Sequence, residues 1–222
     1  MLLKLIIFDF DGTLVDTTES ILWTYRATSN ELGIDERTDA EYKATIGLPL
    51  YEGFKQLYPG FSVVALDNCV RTYRSIYAEN KAKLKPRLYP GVKDTLVGLQ
   101  NLGIKMTIAS SRSNASLIEF CESSGLMSYF RMILGSDDVC NAKPDPEPVL
   151  KTLSFLKITP EETIVVGDMP VDMAMGRGAK CRTIGVTYGN SSADDLINAG
   201  ASCVIDRITE LIGIIHDCGI ED

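Results

Sequence analysis

Histidine is almost absent from this chain: His216, near the C-terminus, is the only one. A catalytic cysteine wants a histidine partner to draw off its proton, so the composition gives thiol catalysis no base, and His216 itself reads as structural. The six cysteines, Cys69, Cys121, Cys140, Cys181, Cys203 and Cys218, show no CxxC spacing. They read as reduced, mostly buried small hydrophobes, not as a disulfide framework or a zinc site. Blocks of positive charge are missing too. The net charge is −8 and no run of five or more basic residues occurs, which excludes a nucleic-acid or anionic-membrane surface. No apolar run is long enough to span a membrane, and Lys4 is the only basic residue ahead of a first apolar stretch too short for a signal core. A cytoplasmic protein is expected. Internal repeats and low-complexity tails are also lacking.

What is present suits a folded enzyme. The 222 residues are 45% hydrophobic and 23% charged, enough for one large domain or one domain plus a smaller one. The acidity sets a condition. Any phosphate-bearing substrate must find local positive charge in its site, from a metal, a lysine or helix amino termini.

The stretch around which the chain is organised runs from Leu2 to Asp16. Lys4–Phe8 is a short apolar run suited to a buried parallel strand, and it stops at Asp9-Phe10-Asp11-Gly12-Thr13. Two carboxylates and a glycine turn therefore lie just past the carboxyl end of a strand, the edge at which open α/β sheets bind ligands. Downstream, the periodicity predicts helices from Thr17 or Thr18 to about Gly33, over Asp39–Ile46, over Pro49–Tyr58 and over Phe61–Ala82. Residues 17–83 thus read as wholly helical, too long for a simple crossover. They form an expected inserted all-α cap, with the core made of residues 1–16 and 84–222.

From Pro90 onward the pattern changes to strand–helix alternation, the mark of a parallel sheet. Strands are expected at Ile104–Ala109, Met132–Leu134, Thr163–Val166, Arg182–Val186 and, at the edge, Cys203–Ile205. Helices are expected over Val92–Leu102, Asn114–Ser124, Val149–Leu156, Asp172–Gly178, Ala193–Asn198 and Ile208–His216, with a loop over Asp138–Pro148. The fold class is α/β, a Rossmann-like three-layer parallel-sheet core with the all-α insert.

Four polar clusters fall at the carboxyl ends of these strands. The first is Asp9–Thr13. The second is Ser110-Ser111-Arg112, ahead of a helix start whose hydroxyls and free amides suit an anion. The third is Lys143, in a proline-braced loop, and the fourth is Gly167-Asp168 with Asp172 four residues on. If the first and fourth strands lie side by side, their carboxylates converge. Two such charges about 4 Å apart repel by roughly 4 kcal/mol at an effective dielectric of 20, so a proton or a cation must be shared. Hard oxygen donors without histidine or cysteine point to magnesium, since calcium would want more ligands.

In order and rough spacing, Asp9-Phe10-Asp11-Gly12-Thr13, Ser110, Lys143-Pro144 and Gly167-Asp168-Met169-Pro170-Val171-Asp172 resemble the motifs of the haloacid dehalogenase-like hydrolases. The match covers essentially the whole chain. Tyr89-Pro90-Gly91-Val92 and Thr183-Ile184-Gly185-Val186 look like the phosphoglycolate phosphatase-like branch with a helical cap.

The resemblance implies roles. Asp9 would attack phosphorus to give an aspartyl-phosphate, and Asp11 would protonate the leaving oxygen and then deprotonate water. Magnesium would be held by the Asp9 carboxylate, the Asp11 backbone carbonyl and Asp168, supported by Asp172. Ser110 and Lys143 would bind phosphate oxygens, Gly12 and Thr13 would bring backbone amides near them, and Ser111 and Arg112 complete the expected phosphate-binding set. The helical insert would be a lid. Met169 stands where Thr or Ser is frequent, Lys180 where a helix-ending glycine often stands, and Arg112 where Lys or Asn is common.

The expected activity is magnesium-dependent hydrolysis of a small phosphorylated metabolite, phosphoglycolate-like by default of the branch. Alternatives are a sugar-phosphate mutase, an inorganic pyrophosphatase and a non-catalytic phosphate-binding module. Carbon–halogen cleavage is disfavoured because Asp11 is present. Phosphonate cleavage is disfavoured because Ile46–Tyr51 lacks a lysine, and the mutase because Glu19, Ser20 and Ile21 stand where a histidine belongs.

Overall fold

The computed structural model describes residues 3–217. Eight strands and ten α-helices follow one another in this order among the described residues. First come β1 (Leu5–Phe8), β2 (Val15–Asp16), α1 (Thr18–Leu32), α2 (Asp39–Lys43), α3 (Leu50–Leu57), α4 (Val63–Leu84) and β3 (Arg87–Leu88). Then come α5 (Val92–Asn101), β4 (Lys105–Ala109), α6 (Asn114–Ser123), β5 (Phe130–Leu134), α7 (Glu147–Leu156) and β6 (Thr163–Gly167). The order closes with α8 (Pro170–Gly178), β7 (Arg182–Val186), α9 (Ala193–Asn198), β8 (Cys203–Ile205) and α10 (Glu210–Asp217).

Six strands form one sheet in the order β5-β4-β1-β6-β7-β8, and every pairing in it is parallel. β1 lies in the interior because all four of its residues are fully buried aliphatics or phenylalanine. Its side chains alternate between the faces. Ile6 and Phe8 join the core that receives Leu96 of α5, Leu117 of α6 and Leu211 of α10, while Leu5 and Ile7 join that of Val149 and Leu153 of α7 and Met175 of α8. Helices thus cover both faces of a parallel sheet, the three-layer arrangement expected. β1 is flanked by β4 on one side and β6 on the other, so the chain switches direction across it, and a crevice opens at its carboxyl end.

The stretch between β2 and β3 holds four helices and no strand, as its periodicity predicts, and has an apolar centre of its own. Tyr25 stacks on Tyr42 with ring centres 4.9 Å apart and meets Phe54 and Tyr73 edge-on, among Leu22, Leu57, Leu66 and Cys69. Where this stretch leaves and rejoins the sheet, Val15–Asp16 and Arg87–Leu88 pair antiparallel. Strands this short give no sequence signal, and that pairing was not expected.

Other differences lie at element ends. α7 begins at Glu147 and α8 at Pro170, each two residues earlier than expected. Pro148 and Pro170 sit in first turns, where a missing amide costs nothing. β5 reaches back to Phe130, and Ser136–Asp138 makes a 3-10 turn ahead of the Lys143 loop. Lys180 adopts φ 63°, the left-handed conformation that a glycine commonly supplies there.

Cys69, Cys121 and Cys181 are free and buried, and Cys140 is free and exposed; Cys218, and the side chain of His216, lie outside the described residues. No helix among these residues is long and apolar enough to cross a membrane.

Candidate active site

Asp9 continues β1 by one hydrogen bond, its amide donating to Val166 O at 2.8 Å, which fixes its side chain over the sheet edge. The chain then folds back on the Phe10 carbonyl, which accepts from the amides of Thr13, Leu14 and Val15, while the Phe10 ring sinks into the core. Gly12 takes φ +85°, and a Cβ there would lie 2.1 Å from Asp168 Oδ2. Only glycine permits both the turn and this approach.

β6 delivers the second carboxylate in the same way. A Cβ on Gly167 would lie 2.3 Å from the Asp172 Cβ, so the bare backbone lets the first turn of α8 close against the strand. Asp172 Oδ2 accepts from the Met169 amide at 3.0 Å. The carboxylates of Asp9, Asp168 and Asp172 are all buried, with one oxygen from each lying within 4.8 Å of the others. Asp168 is held on both oxygens: Oδ1 accepts from Thr13 Oγ1 at 3.1 Å, and Oδ2 from both the amide and the Nδ2 of Asn190 at 2.8 Å.

Lys143 enters this cluster from the loop ahead of α7. Its Nζ donates to Asp9 Oδ1 at 2.5 Å and to Asp172 Oδ1 at 2.7 Å. Glu147, in the first turn of α7, accepts the amides of Cys140 and Asn141 and so anchors the loop. Burial works against the Lys143 charge, but Asp172 and Asp9 together hold its pKa above the ordinary lysine value. Burial raises the Asp9 carboxyl well above the ordinary carboxylate range, against the pull of Lys143. Burial, with the neighbouring Asp172, pushes Asp168 up to about 7. Three buried carboxylates thus cluster beside one ammonium, which pairs with two of them, an arrangement short of positive charge. The donor set is all hard oxygen, and it fits a magnesium ion.

Several of the expected phosphate ligands have protein partners in this structure. The amides of Gly12 and Thr13 donate to Val15 O and Phe10 O. Ser111 Oγ donates to Gly47 O, 2.6 Å away in the segment joining α2 to α3. The Arg112 guanidinium grips the Asp11 carboxylate and also donates from Nη1 to Tyr77 Oη of α4 at 3.1 Å and to Ser116 Oγ at 3.0 Å. Ser110 stays at the carboxyl end of β4, and its hydroxyl accepts from the Arg112 amide. Asp9, Asp11 and Ser110 line one side of a cavity of about 360 Å³ whose other side is made by α1, α4 and the segment after α2.

Two contributors carried no sequence signal. Asn190, in the loop after β7, supports Asp168 and accepts from Thr18 Oγ1 of α1 at 3.0 Å. Tyr188 donates its hydroxyl to Thr13 O at 2.8 Å. Both sit in an irregular loop, and only the parallel pairing of β6 with β7 brings it to the site.

Compared with known proteins, residues 6–186 match the family model "Haloacid dehalogenase-like hydrolase". The chain belongs to this family. Among its relatives, the "Probable phosphatase IndB" of Dickeya dadantii is 35% identical over 214 residues, spanning 96% of this chain and 93% of that one. The "Pyrophosphatase PpaX" of Anoxybacillus flavithermus is 31% identical over 216 residues, spanning 97% and 98%. The crystal structure of a "predicted phosphatase" from Clostridium acetobutylicum superposes with a TM-score of 0.88 at 26% identity, covering 98% of this chain and 100% of that one. A haloacid dehalogenase-like hydrolase from Streptococcus pneumoniae, at 24% identity, shares the fold with a TM-score of 0.84 over 96% of this chain and 98% of its own.

Proposed function

We propose that this chain, a phosphatase of the haloacid dehalogenase-like superfamily, hydrolyses a small phosphorylated metabolite with magnesium through an aspartyl-phosphate on Asp9. The observation that carries this reading is the convergence of Asp9, Asp168 and Asp172 with Lys143 at the carboxyl ends of β1 and β6. Asp9, Asp168 and the Asp11 backbone carbonyl would hold the metal, with Asp172 behind them. When bound, magnesium neutralises charge on the phosphoryl oxygens.

In the first half-reaction an Asp9 oxygen attacks phosphorus, the bond from phosphorus to the leaving oxygen breaks, and that oxygen takes a proton from Asp11. In the second half-reaction water attacks the same phosphorus and gives its proton to Asp11. The bond from Asp9 to phosphorus breaks, releasing inorganic phosphate and restoring the carboxylate. Lys143 and Ser110 bind phosphoryl oxygens and counter their charge. Residues 17–83 serve as a cap over a core of residues 1–16 and 84–222, with the antiparallel β2–β3 pair as its neck, and the cap excludes water from the reacting groups. The phosphoglycolate-like default comes from the branch the motifs resemble.

Asp9→Asn decides the mechanism. Expected is loss of p-nitrophenyl phosphate hydrolysis with an unchanged circular dichroism spectrum; a variant that still turns over would overturn the aspartyl-phosphate route. Inorganic pyrophosphate is the second reading, supported by the relatives named "Pyrophosphatase PpaX".

A further inference from the structure

The two sides of the cavity differ in chemistry, and the difference bears on what the enzyme takes. On the sheet side the wall is polar: Asp9, Asp11, Ser110 and Arg112, with Ser111 and Ser113 beside them. On the helical side it is mostly apolar, built by Ile21 of α1, Leu48 and Leu50 around the start of α3, and Tyr73, Tyr77 and Ala78 of α4. The phosphoryl group belongs to the polar side, beside Asp9. The part of the substrate that departs therefore faces the apolar one.

That wall is rigid. Tyr73 is backed by Tyr25 and Phe54, with ring centres 5.0 and 6.0 Å away, and Tyr25 is itself stacked on Tyr42 and receives a hydrogen bond from Thr45. The Tyr77 hydroxyl is held by Arg112. A wall fixed in this way gains little by closing on a fragment of two carbons. The volume, about 360 Å³, falls within the roughly 300–1,000 Å³ range of sites that enclose drug-sized ligands.

Positive charge on the helical side is scarce. Lys81 is paired with Glu119, and Arg112 is committed to Asp11, Tyr77 and Ser116. Arg74 is the one cavity-lining cation on the helical side without an ion pair or hydrogen bond among the described residues. A leaving phosphate, multiply charged, would meet Arg74 alone against apolar side chains, and burying charge without partners is costly.

We propose that the leaving group of the natural substrate is an organic, ring-sized apolar body seated on the Ile21–Leu48–Tyr73–Tyr77 wall, and that phosphoglycolate, the default of the branch, and inorganic pyrophosphate are both poor substrates. This rests on the phosphatase reading above, and one assay separates the two. kcat/KM is measured with magnesium for benzyl phosphate, phosphoglycolate and pyrophosphate. The first two leave as alkoxides of similar intrinsic reactivity, so their ratio reports the wall.

Benzyl phosphate is expected to exceed phosphoglycolate and pyrophosphate by ten-fold or more, the scale on which a few buried methylenes discriminate. Leu48→Asn is expected to cut the benzyl-to-phosphoglycolate ratio at least five-fold. A rate on either small substrate equal to or above that on benzyl phosphate would overturn the proposal, as would a ratio unmoved by Leu48→Asn. Phosphate release from none of the three, nor from p-nitrophenyl phosphate, would overturn the phosphatase reading itself and the proposal with it.

Discussion

Arg112 grips Asp11 with both arms of its guanidinium, Nη2 lying 2.7 Å from Oδ1 and Nε 3.1 Å from Oδ2. The pair is mostly buried, with side-chain exposures of 13% and 14%, and the guanidinium also lies over the Phe10 and Tyr77 rings. Planar, bidentate and stacked, this contact fixes the direction of a carboxylate in a way a lysine cannot. In the proposed mechanism, delivering a proton from Asp11 to the leaving oxygen requires one arm of Arg112 to let go while the other keeps the carboxyl group aimed.

Arg112→Met should therefore act according to the leaving group. A nitrophenolate departs without a proton, whereas a benzyl alkoxide needs one. On kcat/KM, which reports the phosphoryl-transfer half alone, the variant is expected to lose about 10- to 100-fold on benzyl phosphate, part of the 10²–10⁴ that general acid catalysis supplies. The loss on p-nitrophenyl phosphate should be several-fold smaller. Arg112→Lys should not restore the ratio; full restoration would reduce the role of Arg112 to charge.

Lys143 makes a different kind of contact, since its side chain is 1% exposed and its ammonium bridges two buried carboxylates. Lys143→Met leaves Asp9 and Asp172 at close range with no cation between them. Removing one partner of a buried ion pair costs about 3–5 kcal/mol. Urea unfolding without metal should show a loss of that size together with an inactive enzyme. Unchanged stability would mean that the pair is not intact in solution.

Asp168→Asn should separate stability from metal binding. With its pKa pushed up to about 7, first by burial and then by Asp172, Asp168 favours folding at low pH. That contribution disappears as the pH rises through 7, so at pH 8 the charged side chain is a liability in the metal-free protein. Asparagine removes the charge and can still accept from Asn190. The metal-free variant should melt no lower than the wild type at pH 8. A ligand at a hundred times its Kd adds about 2.7 kcal/mol, or about 5–10 °C for a chain of this size. Magnesium should raise the wild-type Tm on that scale and leave the variant unmoved, which calorimetry would read directly.

The residues at the carboxyl ends of β1 and β6 were legible in the sequence because each follows an apolar run that can only be a buried strand. Asp9 and Asp168 are therefore placed by the strands that precede them. The same logic located Ser110 after β4, and the helical periodicity from α1 to α4 predicted a long stretch without strands. What the sequence hid depends on direction, not position. Nothing in Ser110-Ser111-Arg112 says that Ser111 turns to Gly47 and Arg112 to Asp11, since either side chain could have faced a phosphate. The two-residue strands of the β2–β3 pair are shorter than any alternation pattern. Asn190 lies in a loop of Thr, Tyr, Gly, Asn and Ser whose composition reads only as a turn.

Asn190 is the strongest test of that hidden part. It donates to Asp168 Oδ2 through both its backbone amide and its Nδ2, and its Oδ1 accepts from Thr18 of α1. The neighbouring Gly189 lies so near that a Cβ would fall 2.3 Å from the Asp168 Cβ, so the loop is built to close on this carboxylate. Asn190→Ala keeps the backbone donor and loses the other two contacts. A partner that only orients a metal ligand is worth about 10- to 100-fold in metal affinity. The variant is expected to need that much more magnesium for half-maximal p-nitrophenyl phosphate hydrolysis while approaching the wild-type kcat at saturating metal. A fall in kcat that magnesium cannot restore would instead place Asn190 in the chemical step, and an unchanged magnesium requirement would remove it from the site.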